Sequence, residues 1–236
     1  VKPTLEIAPS EALVASFLAL FAEEQEQVLR RAGRFAVALP GGSTAEALLP
    51  RLATAAIAWE SVHLFWGDER CVPPGHPDSN YGLARRLLLE RVAVPAENVH
   101  RVTGEADPEA AARGYEADLG RVLGEAPRLD LVLMGMGPDG HVCSLFPEHA
   151  LLAERTLRVA AIHDSPKPPP ARVTLTLRAL EEAGVVCLAA FGEAKAEALR
   201  AALEDPASAL PIAQVMRAAR RGVILADPAA GRLLRR

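Results

Sequence analysis

Cysteine is scarce in this chain: Cys71, Cys143 and Cys187 are its only three, scattered over 236 residues. That is too few for a disulfide framework and too dispersed for a zinc site, so a reducing, cytoplasmic setting is expected. No set of His, Cys and carboxylate residues shows ligand spacing, and no metal is expected either. A basic excess is missing as well, since 26 Lys and Arg stand against 30 Asp and Glu for a net charge of −4. Nucleic-acid binding, which leaves a basic excess or stripe, is thereby disfavoured, and any anionic ligand must be small and held by a few local cations. No apolar run approaches the roughly 18 residues of a membrane span. The apolar stretch at 12–22 follows Glu6 and Glu11 instead of a basic region, with no small-residue cleavage site after it, so it reads as an amphipathic helix and not as a signal peptide. Internal repeats, low-complexity tracts and linkers are absent too. What is left is ordinary soluble composition, 50% hydrophobic and 24% charged, in a chain long enough to bury a full core, and one α/β domain over residues 1–236 is expected. Oligomeric state is left open, with a monomer favoured.

Strand-like and helix-like segments alternate. A helix with Ser10 as N-cap and Glu11 in its first turn is expected to reach about residue 31 and stop at Gly33. Strands are expected at 35–39 (FAVAL), 62–66 (VHLFW), 99–102, 129–134, 157–162, 173–177 (VTLTL), 185–191 (VVCLAAF) and 223–226. Helices are expected from the turn at 40–44 to about residue 56, at 79–90, at 108–123, after Gly192, and at 227–234. The alternation argues for one mostly parallel, doubly wound sheet covered by helices on both faces. Such sheets bind ligands outside the carboxyl ends of their strands, and the chemistry-bearing residues of this chain fall at several of those ends.

The stretch DLVLMGMGPDGHVCSLF, residues 130–146, concentrates the chemistry. Its apolar half suits a strand buried on both faces, and it breaks into Gly135, Gly137, Pro138 and Gly140 around Asp139 and His141. An imidazole can take a proton from water near neutral pH, and a neighbouring carboxylate can orient the ring and stabilise its charged form. Read literally, residues 135–140 also fit the G-x-G-x-x-G pattern of dinucleotide sites. Pro138 inside the turn, the position past the middle of the chain and the missing acidic strand end argue against it. Cys143 and Ser144 lie near His141 in sequence, which does not by itself make either a nucleophile.

Three other strand ends carry charge or bare backbone. After 35–39 comes PGGST, where glycines and hydroxyls at a helix start form an anion site of N–H groups aided by the helix dipole, or else a plain cap and tight turn. It lacks the lysine of a P-loop. After 62–66 come Asp68, Glu69 and Arg70, either a solvated rim or part of a site. In SPKPPPAR the prolines stiffen a loop that carries Lys167 and Arg172, unless the loop is only a connector. Lys195, in a first helical turn, opposes the dipole there unless it faces a bound anion.

Four stretches in order, LPGGST (39–44), GDERCVP with DSNY (67–81), GMGPDGHVCSLFP (135–147) and SPKPPPARVTLT (165–176), with GEAK and LPIAQV in support, resemble the 6-phosphogluconolactonase family. The departures are Ala45, where the family often has Pro, and Val142-Cys143, where it often has Thr-Ala. The resemblance implies a Rossmann-like fold shared with glucosamine-6-phosphate deaminases. It implies cofactor-free hydrolysis of 6-phospho-D-glucono-1,5-lactone, the second step of the oxidative pentose phosphate pathway. It also implies His141 as general base with Asp139 beside it. The 6-phosphate would be held by Gly41, Gly42, Ser43, Thr44, Arg172 and Lys195, with Lys167 a further candidate. Asp68 and Arg70 would line the sugar end, Arg70 facing the oxyanion. The resembling deaminases carry an acid five positions after the corresponding His, where this chain has Phe146.

Overall fold

In the computed structural model, which describes residues 2–235, the apolar runs lie side by side as strands. In chain order these are β1 (Thr4–Ile7), β2 (Phe35–Leu39), β3 (Val62–Trp66), β4 (Asp68–Arg70), β5 (Leu131–Met134), β6 (Val159–Ile162), β7 (Arg172–Leu175), β8 (Val185–Ala190) and β9 (Gly222–Ala226). The helices between them are α1 (Ser10–Ala32), α2 (Gly42–Leu52), α3 (Asn80–Ala84), α4 (Pro108–Leu123), α5 (Leu177–Glu182), α6 (Ala196–Glu204) and α7 (Pro211–Ala218). Six strands form one wholly parallel sheet in the order β1-β9-β8-β5-β2-β3. The other three form an antiparallel sheet, β4-β7-β6.

The parallel sheet is covered on both faces because its strands carry apolar side chains on both. Along β2, Phe35, Val37 and Leu39 join the core that contains Phe17 and Phe21 of α1 and Leu48 and Leu49 of α2. Ala36 and Ala38 turn the other way, into the core with Tyr115 of α4, Leu180 of α5 and Ile212 of α7. β5 does the same with Leu131 and Leu133 on one side and Val132 and Met134 on the other. Each large side chain so buried stabilises the fold by about 1.5–3 kcal/mol. β2 connects outward to β3 at the sheet edge, while β5 leads on to β8 and β9 in the opposite direction. The switch point of the topology thus lies between β2 and β5, and a crevice opens at their carboxyl ends.

Several boundaries differ from expectation. Pro9, not Ser10, is the N-cap of α1, and its side chain makes no capping bond; the helix stops at Gly33 as expected, with that glycine in a left-handed conformation. α2 ends at Leu52, one turn early, with Pro50 removing a helical donor near its end. Residues 99–102 form no strand: only Val99 bridges to Leu64, beside β3. The segment 227–234 is a series of turns and not a helix. The antiparallel sheet was not expected as a separate unit, nor β4 as a strand. Gly67 joins the two sheets, its N–H donating to Leu39 O (3.0 Å) and its carbonyl accepting from Leu175 N (2.8 Å).

Candidate active site

The crevice at the switch point is lined by the turn after β2, by β4, by the loop after β5, and by Arg172 and Lys195. Its volume is about 190 Å³, below the roughly 300–1,000 Å³ of pockets for drug-sized ligands, which suits a small polar metabolite better than a dinucleotide.

The turn after β2 enters α2 through Gly41 and Gly42, the latter at φ 56°. The first helical bond is Ala45 N to Gly41 O, 3.4 Å, so the N–H groups of Gly42, Ser43 and Thr44 precede the intrahelical ladder and are available to an anion. Two glycines are needed for contact. A Cβ on Gly41 would meet Asn80 Oδ1 at 1.9 Å, and one on Gly135, at the end of β5, would meet Thr44 Oγ1 at 2.2 Å.

Past β5 the chain turns back on itself, with Gly137 N–H donating to His141 O (2.8 Å) and Gly140 in a left-handed conformation. This brings His141 Nδ1 to 2.5 Å from Asp139 Oδ1. An ionised carboxylate only accepts, so Nδ1 carries the proton of that bond and Nε2 is the free acceptor of the ring. Phe146 packs on the imidazole, ring centroids 4.8 Å apart. Burial pushes the His141 pKa below its ordinary value, against the opposing pull of the Asp139 hydrogen bond and charge. Burial works to raise Asp139, but its hydrogen bonds and charge interactions with His141 and Lys167 outweigh it and bring the carboxyl down to about 2. The pair at neutral pH is a carboxylate and a neutral imidazole.

β4 supplies the opposite wall. The buried Asp68 accepts from Ser144 Oγ at 2.5 Å and from Asn80 Nδ2 at 3.2 Å, which fixes its orientation. Arg70 lines the cleft, with one guanidinium nitrogen donating to Asp78 O (2.9 Å) and a buried Nε that has no protein partner. Glu69 turns away from the cleft. Its carboxylate accepts from the N–H groups of Arg70, Asn80 and Tyr81 and from Ser79 Oγ at 2.7–3.1 Å, tying β4 to the start of α3. Burial nonetheless raises its pKa above the usual carboxylate value.

The remaining cations divide. Lys195 lines the cleft and has no ion pair or side-chain hydrogen bond among the described residues; burial, and next the charge of Lys167, lower its pKa. Arg172 also lines the cleft, yet four of its five donors are spent within the protein, on Lys167 O, Pro168 O, Pro169 O and Ser144 Oγ. It braces the proline loop, and one of its donors is left without a protein hydrogen bond among the described residues. Lys167 contacts Asp139 and is not among the lining residues. In sequence, Glu69 stood open between rim and site, Ser144 was set aside as a nucleophile and Phe146 served only as a departure from the deaminases; the supporting contacts of all three, and of Asn80, were not visible there. Among the described residues, no group of three or more His, Cys, Asp or Glu side chains is arranged to hold a metal ion.

A sequence profile described as glucosamine-6-phosphate isomerases/6-phosphogluconolactonase matches residues 8–224. A protein of Rattus norvegicus named 6-phosphogluconolactonase is 44% identical over 237 residues, covering 96% of this chain and 91% of its own. The structure of 6-phosphogluconolactonase from Trypanosoma cruzi superposes with a TM-score of 0.88 at 27% identity, over 98% of this chain and 96% of that one. A monomeric glucosamine-6-phosphate deaminase superposes with a TM-score of 0.83 over 98% of this chain and 99% of its own, at 20% identity, a likeness of fold alone.

Proposed function

Because the chain belongs to the glucosamine-6-phosphate isomerase/6-phosphogluconolactonase family, we infer that its cleft hydrolyses 6-phospho-D-glucono-1,5-lactone to 6-phosphogluconate. The observation that carries this reading is the His141–Asp139 pair, with Nε2 unengaged at the cleft and the buried Phe146 packed under the ring. An aromatic there, five positions after the His, leaves that position without an acid, which suits addition of water to an activated ester.

The lactone is bound by its 6-phosphate on the N–H groups of Gly42, Ser43 and Thr44, with Gly41 shaping the turn and Lys195 supplying a cation. Asp68, held by Ser144 and Asn80, faces the sugar end. His141 Nε2 takes a proton from water as its oxygen attacks C1, and Asp139 stabilises the imidazolium that forms. Arg70 offsets the charge on the C1 oxyanion. When the intermediate collapses, the bond from C1 to the ring oxygen breaks, and that oxygen takes the proton back from Nε2. The carboxylic acid product then ionises, releasing one proton to solvent. Three thiols without disulfide partners agree with a cytoplasmic setting.

The test is proton release from the phosphorylated lactone, with spontaneous hydrolysis subtracted, beside ammonia release from glucosamine 6-phosphate. Proton release without ammonia is expected. Replacing Lys195 by Ala should lower kcat/KM for the phosphorylated lactone roughly 10- to 150-fold, the cost of one charge-assisted hydrogen bond, and spare unphosphorylated gluconolactone. Equal losses on both substrates would move Lys195 out of the phosphate site.

A further inference from the structure

Lys167 Nζ lies 3.2 Å from Asp139 Oδ2 and 3.2 Å from His141 Nδ1, while Asp139 Oδ1 lies 2.5 Å from that same Nδ1. An ammonium group has only protons to give, so it cannot bond to a ring nitrogen that is itself donating to Oδ1. Lys167 therefore donates to Oδ2 and stands beside the ring purely as a positive charge. The loop that carries it is pinned from both sides. Ser165 Oγ accepts from Lys167 N–H (3.2 Å) and donates to Lys167 O (2.8 Å), and Arg172, its side chain almost wholly buried, donates to the carbonyls of Lys167, Pro168 and Pro169. Neighbouring prolines leave that backbone few alternatives. An arginine expected to hold a phosphate thus also holds the loop that carries a lysine.

We propose that Lys167 is a positioning residue for the Asp139–His141 pair: by occupying Oδ2 it fixes the rotation of the carboxylate, which holds the imidazole with Nδ1 protonated and Nε2 free, and its charge resists a second proton on the ring. The proposal rests on the lactonase reading of the cleft. The charged groups that bear on His141 are Asp139 and Lys167 by contact and Asp68 from β4, and Lys167 and Asp139 also bear on Lys195 in the turn before α6. Phe146 closes one side of the ring with apolar surface. Asp139 alone would orient the base and also make it more basic, keeping it protonated and inactive further toward neutral pH. Lys167 separates those effects, retaining the orientation and cancelling part of the added basicity.

Lys167→Met removes the charge and keeps most of the stem. The acid limb of the kcat/KM profile should then move to higher pH, so that at about pH 5.5 the variant loses roughly three- to tenfold more activity than at about pH 8. The loss should fall on kcat, with KM for the phosphorylated lactone changed less than about twofold, and gluconolactone without phosphate should suffer equally. Lys167→Arg should restore the limb. A raised KM confined to the phosphorylated lactone, with an unmoved limb, would make Lys167 a phosphate ligand and overturn the proposal. Should the Met variant not fold, Lys167→Gln, which still donates but carries no charge, is expected to show the same shift, and an unshifted limb there overturns it equally. Failure of the lactonase reading would look different, as wild-type protein releasing no protons from the lactone.

Discussion

In the proposed mechanism His141 holds a proton for the lifetime of one tetrahedral intermediate, with Asp139 and Phe146 in contact with its ring. Replacing it with Ala should leave the fold intact and lower kcat by roughly 10²–10⁴-fold, the usual scale for loss of a general base, measured after subtraction of spontaneous hydrolysis. Near wild-type turnover in a folded variant would remove it from the mechanism. At this scale the sequence shows the identity of a group but not the destination of its donors. Asp139 and His141 were legible because two intervening bonds of turn leave little choice but contact. Arg172 was assigned to the phosphate because its charge is visible; its four internal acceptors are not, three of them carbonyls that any residue would supply. Lys167 and Asp139, 28 positions apart, meet only because two loops from different sheets converge.

The turn after β5 is the element on which the proposed chemistry hangs, and Gly137 is its tightest point. A Cβ there would lie 2.0 Å from His141 Nδ1 and 2.3 Å from Asp139 Oδ1. Gly137→Ala should therefore force the pair apart and reduce kcat by about 10²-fold or more, comparable to losing the base, while the thermal midpoint moves by only a few degrees because no core side chain is displaced. Full activity in that variant would show that the pair can shift without cost. The buried apolar strands of the parallel sheet were legible for the reason that they are buried, long unbroken apolar runs needing cover on both faces. β4 was not, since Asp-Glu-Arg reads as a loop until the partners are known: Glu69 is buried at 2% exposure only because four donors surround it. β1 escaped notice because its pattern of exposure is that of an edge strand, with Leu5 and Ile7 exposed. The segment 99–102 had strand-like residues but gains only one bridge to β3.

For the molecule as a whole, buried and half-buried imidazoles link stability to pH. His63 Nδ1 lies 2.9 Å from His100 Nε2, and His100 Nδ1 lies 2.9 Å from Asp118 Oδ2, in a chain between β3 and α4 remote from the cleft. Burial is the main cause that lowers the pKa of both, as it does for His141. A folded-state pKa below the unfolded one means that the unfolded chain binds more protons, so stability is full above the ordinary imidazole value of 6.5 and declines as pH falls through the folded values. Asp139, depressed to about 2 from 3.8, acts in the same sense at much lower pH, whereas Glu69 and Asp130, raised by burial, act oppositely within the carboxylate range. The thermal midpoint should thus drop between about pH 7 and pH 6, as calorimetry would show; a midpoint that rises over that interval would contradict the linkage. The parallel sheet sets one further quantity. β2 and β5 are directly hydrogen-bonded neighbours, so the roots of the anion turn and of the base loop stand one strand spacing apart, about 4.8 Å, with no hinge between them. The cleft is therefore a gauge whose jaws are cut into backbone. Side-chain substitution can change what each jaw grips but not the gap between them, and on the proposed reading a sugar lactone with its phosphate one carbon closer to the carbonyl is expected to be grasped at one end while its reactive carbon stops short of the other.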